Sequence, residues 1–129
     1  MKITFQGAIE AVTGSRTHVE YDRTQFLIDA GLYQGEKNKR LLNWNPQIDV
    51  HALDFIFLTH AHIDHSGLLP KLVKDGYNAP IYCSEGTKDL AEVLLLDAAN
   101  LQEEDARYAN ESGYSHHRPA MPLYTQDDA

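Results

Sequence analysis

Apolar and polar residues alternate through positions 2–6, with Ile3 and Phe5 on one face, and this predicts an edge-type β-strand. Positions 17–21 and 25–29 predict two further strands, joined through Asp22-Arg23-Thr24 as a hairpin. The turn Thr13-Gly14-Ser15 precedes them. The pattern loosens between Gly35 and Trp44, where a short helix would carry Leu41, Leu42 and Trp44. Within 54–59, Phe55, Ile56, Phe57 and Leu58 follow one another, the mark of a strand buried on both faces. Leu68, Leu69, Leu72 and Val73 then recur at helical spacing, with Gly76 where a helix would be capped. Residues 80–84 predict another short strand. Ser84 or Thr87 caps a long helix running to about Asn110. Its main stripe is Leu90, Leu94, Ala98 and Leu101, widened by Val93, Leu95 and Leu96. From Ser112 the chain is irregular, and Thr125 followed by Asp127 and Asp128 has the form of a helix start. Residues 112–129 are therefore expected to be a tail leading into a helix that lies outside the chain. Strands and helices alternate after the N-terminal hairpin strands, which predicts an α/β domain with a mixed sheet.

A chain of 129 residues holds one domain with a real core, and is too short for two ordinary ones. Its 43% apolar and 23% charged residues are a soluble globular balance. No stretch approaches the ~20 apolar residues of a membrane span, and the first seven residues lack the apolar centre of a signal peptide. No membrane partner is expected. Cys83 stands alone, which excludes an internal disulfide and fits a reducing cytoplasm. The net charge of −8 weighs against a phosphate-rich partner. It is unevenly spread, however. Residues 1–84 hold 8 basic and 9 acidic residues, whereas residues 85–129 hold 3 basic and 10 acidic residues. The first two thirds are thus nearly neutral, with a basic cluster at Lys37, Lys39 and Arg40.

The most informative stretch is Leu58-Thr59-His60-Ala61-His62-Ile63-Asp64-His65-Ser66-Gly67. Three histidines and an aspartate fall just beyond a buried strand, where α/β folds place their sites. Imidazole nitrogen and carboxylate oxygen are zinc ligands. In a tight turn His60 and His62 can point to one side, as alternate residues do, while Asp64 and His65 face a second ion. Two adjacent ions can clamp a phosphoryl or acyl oxygen and activate water, by lowering its pKa to about 7. The bland reading is a solvated, histidine-rich loop. The preceding buried strand and the closing Ser66-Gly67 weigh against it.

His60-Ala-His62-Ile-Asp64-His65 resembles the HxHxDH signature of the metallo-β-lactamase superfamily. Further segments resemble its β-CASP branch of RNA- and DNA-processing nucleases. They are Ala11-Val-Thr-Gly-Ser15, Leu27-Ile-Asp-Ala-Gly-Leu-Tyr-Gln-Gly35, His65-Ser-Gly-Leu-Leu-Pro-Lys-Leu72 and Pro122-Leu-Tyr-Thr-Gln-Asp-Asp128. The resemblance runs from residue 3 to 128. It implies that His60 and His62 bind a first zinc, and that Asp64 and His65 bind a second and carry the catalytic chemistry. It implies that Asp29 accepts an N–H from a ligand imidazole, which fixes the ring's tautomer. The alternative for Asp29 is a turn-forming aspartate ahead of Gly31.

The resemblance also implies what this chain lacks: a later histidine, a bridging aspartate, a final histidine and an inserted domain over the cleft. The implied fold is the first half of a four-layer αββα sandwich, with residues 1–129 as the N-terminal part of the domain. The implied activity is metal-dependent hydrolysis of RNA phosphodiesters by a full-length parent carrying two Zn²⁺ ions. This piece is expected to hold metal partially or not at all and to have little activity. The apolar face of a half-sandwich invites homo-oligomers. Two other readings remain open: a non-catalytic scaffold that keeps the half-fold, and a small-ester hydrolase of the same superfamily. His116 and His117 are alternative ligands, although a polar, proline-flanked loop role suits them better. His18 reads as a packing histidine, His51 as exposed and Cys83 as structural. Ser15, Lys37 and Arg40 are candidate substrate contacts, weighed against an ordinary turn and a solvated helix face.

Overall fold

Residues 1–113 and 119–129 are described by the structure, a computed structural model. Residues 2–28 make an antiparallel meander: β1 (Lys2–Phe5), β2 (Thr17–Tyr21) and β3 (Thr24–Ile28). The β2–β3 hairpin turns through Asp22, which takes a left-handed φ of 54°. After α1 (Lys37–Leu41) and a single 3₁₀ turn at Val50–Ala52, β4 (Phe55–Phe57) pairs parallel to β3. Next come α2 (Ile63–Ser66) and α3 (Leu69–Lys74). β5 (Ile81–Tyr82) then pairs parallel to β4, and α4 (Glu85–Ser112) follows. The result is a mixed five-stranded sheet in the order β1-β2-β3-β4-β5, so the expected α/β class holds.

One face of this sheet builds the core. Leu27 and Ile56 are side by side in the register and fully buried, against Leu68 and Leu72 around α3 and Ala91, Leu95 and Ala99 on α4. The other face carries Ile3, Val19, Phe26 and Phe55 in one row, with Phe5, Ile28, Phe57 and Tyr82 beside it. Phe26 stacks on Phe55 at 4.6 Å, and Tyr82 meets Phe55 edge-on at 5.6 Å. Phe5, Phe57 and Tyr82 on this face are exposed. The expectation of a β4 strand buried on both faces is therefore corrected: Phe57 is 49% exposed. Helices cover one face only, so half of that apolar run faces outward.

The long helix begins and ends as its caps dictate. The Ser84 hydroxyl accepts the Thr87 N–H at 3.2 Å, and Gly113 closes the helix in the left-handed region. Its buried stripe is Ala91, Leu95 and Ala99, one position on from the expected one; Leu90 and Leu101 are exposed. Ala91 and Ala99, eight residues apart, flank Leu95 on that buried stripe. A second inversion occurs after α1. Leu41, Leu42 and Trp44 are exposed, while polar Asn43 is buried and bonds both the N–H and the C=O of Tyr33 at 2.9 Å. Gly76 follows the α3 cap at a φ of 106°, as expected. Among the described residues, no helix is long and apolar enough to cross a membrane. In the tail, the Asp128 carboxylate accepts the Thr125 N–H at 2.8 Å, the back-bond of a capping box, and residues 126–128 form a turn.

Two buried tyrosines make alkaline stability testable. Burial pushes Tyr77 and Tyr124 up to about 12. Above the ordinary phenol value of about 10, the unfolded chain sheds protons that the native chain keeps. These two groups are therefore expected to leave stability unchanged as pH rises toward 10 and to lower it between pH 10 and about 12. Urea melts across that range, read with phenolate absorbance, check this; a flat midpoint would contradict it.

Candidate metal-binding loop

Parallel pairing of β3 and β4 brings the residues following both strands to the same sheet edge. The ladder continues one residue beyond β3, since the Asp29 N–H donates to the Phe57 carbonyl at 2.9 Å. Asp29 then turns at a φ of 62° and is buried with 4% exposure. A carboxylate so placed needs donors, and it has three hydrogen bonds at hand. Oδ1 accepts the Thr59 N–H at 2.8 Å, the Thr59 hydroxyl lies 2.9 Å from both carboxylate oxygens, and His65 Nδ1 lies 2.8 Å from Oδ2. The Asp29 carboxylate thus lies within hydrogen-bond distance of the His65 ring.

Backbone bonds clamp the rest of the loop. The Ala30 and Leu32 N–H groups donate to the His65 and Ile63 carbonyls at 2.7 and 3.1 Å. Ser15 donates its N–H to the Asp64 carbonyl at 2.8 Å and accepts the Gly31 N–H at 2.9 Å. Ser15 therefore sits against the loop, and its amide braces the Asp64 backbone. Ser66 is fully buried, and its hydroxyl donates to the Ala61 carbonyl at 2.8 Å. These bonds explain why Ile63–Ser66 can form one helical turn in place of a loose loop.

The three histidines gather on this scaffold. The His60 ring lies 4.0 Å from the His65 ring and 4.8 Å from the His62 ring, centre to centre. The His65 Nδ1–H is committed to Asp29, which leaves Nε2 bare, 3.7 Å from Asp64 Oδ2. Two donors on one tetrahedral zinc, with bonds of about 2.0–2.1 Å, stand roughly 3.4 Å apart. The Asp64–His65 pair therefore fits one ion in both chemistry and spacing. Among the described residues, no group of three or more His, Cys, Asp or Glu side chains is arranged to hold a metal ion. The loop gathers ligands without closing a cage.

Other candidates fall elsewhere. His18 lies in β2, 3.8 Å from Glu20, and His51 packs over Gly76. His116 and His117 lie outside the described residues. Lys37 and Arg40 line an open groove of about 620 Å³, with Tyr33, Trp44 and, on α4, Asp105. The groove starts at Leu32, next to the loop. Two residues given no role from sequence prove structural. Thr59 bridges Asp29 and His60. Arg16 is buried with its guanidinium 4.7 Å from the centre of the Tyr33 ring. Burial pulls the Arg16 pKa down, partly offset by Tyr33.

An α/β sheet presenting a His-X-His-X-Asp-His loop beyond a parallel strand defines a class of candidate metal-dependent hydrolases. Residues 24–117 match the family of the beta-lactamase superfamily domain, and the chain belongs to that family. It is 39% identical over 105 residues to Ribonuclease TTHA0252 of Thermus thermophilus, covering 81% of this chain and 24% of that protein. It is 31% identical over 108 residues to the transcription termination factor FttA of Methanocaldococcus jannaschii, covering 83% of this chain and 17% of that protein. The probable RNase MJ4 of the same archaeon is 32% identical over 130 residues, covering 98% of this chain and 30% of that protein. The chain thus spans between 17 and 30% of the length of these relatives. The resemblance read from the motifs is borne out at the level of the superfamily, and ribonucleases are among these relatives by name.

Proposed function

We propose that this chain is the N-terminal part of a zinc-dependent hydrolase that cleaves RNA phosphodiesters in the cytoplasm. The carrying observation is the hydrogen-bond hub at Asp29, whose carboxylate lies 2.8 Å from His65 Nδ1 and accepts from Thr59, which supports a role in orienting a ligand histidine. Relatives named as ribonucleases, and the small share of their length spanned here, support the reading. When bound, metal ions supply a nucleophile from water at neutral pH and neutralise charge on the phosphate. His60 and His62 would hold one ion, Asp64 and His65 the other. Asp29 keeps the His65 proton on Nδ1, so that Nε2 stays free to ligate. Lys37 and Arg40 lie on the groove beside the loop, where a nucleic-acid backbone would be met by positive charge. The remaining ligands would come from sequence following Ala129, as would the cover of the outward apolar sheet face.

On this reading the isolated chain takes up one zinc ion or fewer, held weakly, and barely cleaves RNA. The full-length protein should cleave RNA and lose more than roughly 100-fold of that activity in His62→Ala, since even outer partners of metal ligands cost 10–100-fold. Strong RNA hydrolysis by the 129-residue chain, abolished by His62→Ala, would overturn its incompleteness. Normal RNA processing in cells carrying Asp64→Asn would favour a scaffold. Turnover of thioesters but not RNA by the full-length protein would favour an ester hydrolase.

A further inference from the structure

Thr59 precedes the histidines of the loop, and its hydroxyl has three neighbours. Oγ1 lies 2.9 Å from each carboxylate oxygen of Asp29 and 2.9 Å from His60 Nδ1. A hydroxyl has one proton to give, and an ionised carboxylate can only accept. The Thr59 proton therefore goes to Asp29, and toward His60 the same oxygen can only accept. That makes His60 Nδ1 the protonated nitrogen and leaves Nε2 with its lone pair bare. His65 reaches the same state directly, by donating Nδ1–H to Asp29 Oδ2 at 2.8 Å.

We propose that Thr59 is a positioning residue that relays the Asp29 carboxylate to His60, so that one buried carboxylate sets the tautomers of both His60 and His65. The two rings are 4.0 Å apart, and both present a bare Nε2. By family resemblance they serve different ions, so the relay would couple the two positions through a single charge. Thr59 itself is exposed, and its backbone N–H bond to Asp29 survives any side-chain change. Substitution should thus spare the fold.

The test is made on the metal-free chain at about pH 9, above the usual histidine range, where imidazole tautomers are read from long-range ¹⁵N–¹H spectra. In the wild type, His60 and His65 should both be Nδ1–H. Thr59→Val should move His60 toward Nε2–H and leave His65 unchanged, because the His65 bond to Asp29 is direct. Thr59→Ser should restore the wild-type pattern; Thr59→Ala should repeat the valine result. In zinc titrations against a competing chelator, Thr59→Val should weaken binding about 10-fold or more, and Thr59→Ser little. Retention of Nδ1–H at His60 in Thr59→Val and Thr59→Ala would overturn the relay. So would a serine variant that behaves like valine, or a tautomer change at His65 as large as at His60. The tautomers do not depend on the proposed function: a correct pattern with no zinc uptake would indict the metal reading and leave the relay standing.

Discussion

Asp29→Asn is expected to cost zinc affinity 10–100-fold while leaving a folded chain. The backbone at position 29 sits at a φ of 62°, a region that Asn tolerates as readily as Asp, so the substitution adds no conformational strain. The change lies in the acceptors. Asp29 offers two oxygens to the Thr59 N–H, the Thr59 hydroxyl and His65 Nδ1–H. An amide offers one oxygen and an NH₂. With the oxygen kept toward Thr59, the NH₂ faces His65 Nδ1, and two donors cannot share that bond. His65 must then move its proton to Nε2, the nitrogen that looks toward Asp64 at 3.7 Å, and loses its free lone pair there. With the amide turned over, the conflict passes to the Thr59 N–H. Only that second orientation leaves a part-buried donor unsatisfied, at about 1–3 kcal/mol of stability, so the first, which moves the His65 proton, is the one favoured. Chelator competition for zinc and thermal melts measure the two effects separately. Unchanged zinc affinity with a shifted melting point would reduce Asp29 to a turn-former.

Position along the chain predicts contacts well where the repeat is local and poorly where a neighbour decides. Strand alternation at 2–6 and 17–21, the Ser84 cap and the Gly76 stop depend on a few adjacent residues, and each is found where expected. The α4 stripe is a different case. Leu90-Leu94-Ala98-Leu101 and Ala91-Leu95-Ala99 have nearly the same period. Hydrophobicity favours the first, yet tertiary packing buries the second. Asn43 likewise looks like a surface residue until Tyr33 turns both backbone groups toward it. In the site, the chemistry of His60, His62, Asp64 and His65 is plain from the residues themselves. Thr59 is silent, because threonine before a histidine has no spacing signal. Its role exists only when β3 brings Asp29 across thirty residues to meet it.

Gly31→Ala is expected to be the most damaging single-methyl change near the loop, and its reason is proximity rather than backbone freedom. Gly31 has no left-handed φ. A Cβ there would stand 1.7 Å from the Asp64 carbonyl oxygen, 2.3 Å from its carbon and 2.8 Å from the Ser15 nitrogen. All three are backbone atoms, so no rotamer can yield. Relief requires the Asp29–Gly31 turn to withdraw from α2. That breaks the Ser15–Asp64 and Gly31–Ser15 bonds and slackens the Ala30–His65 one. Two to three such bonds, some leaving buried groups unpaired, amount to roughly 3–5 kcal/mol. For a chain of this size that is a fall of roughly 10–20 °C in melting temperature. Gly35→Ala supplies the contrast. Gly35 lies at a φ of 79°, and a methyl group added there would meet nothing within 4 Å, so it carries only the left-handed penalty, about 1–2 kcal/mol. Calorimetry should therefore rank Gly31→Ala well below Gly35→Ala, and zinc uptake should be lost with the first and kept with the second. Equal destabilisation by the two would mean that the turn and α2 are not locked together, and that His65 is held in place by Asp29 alone.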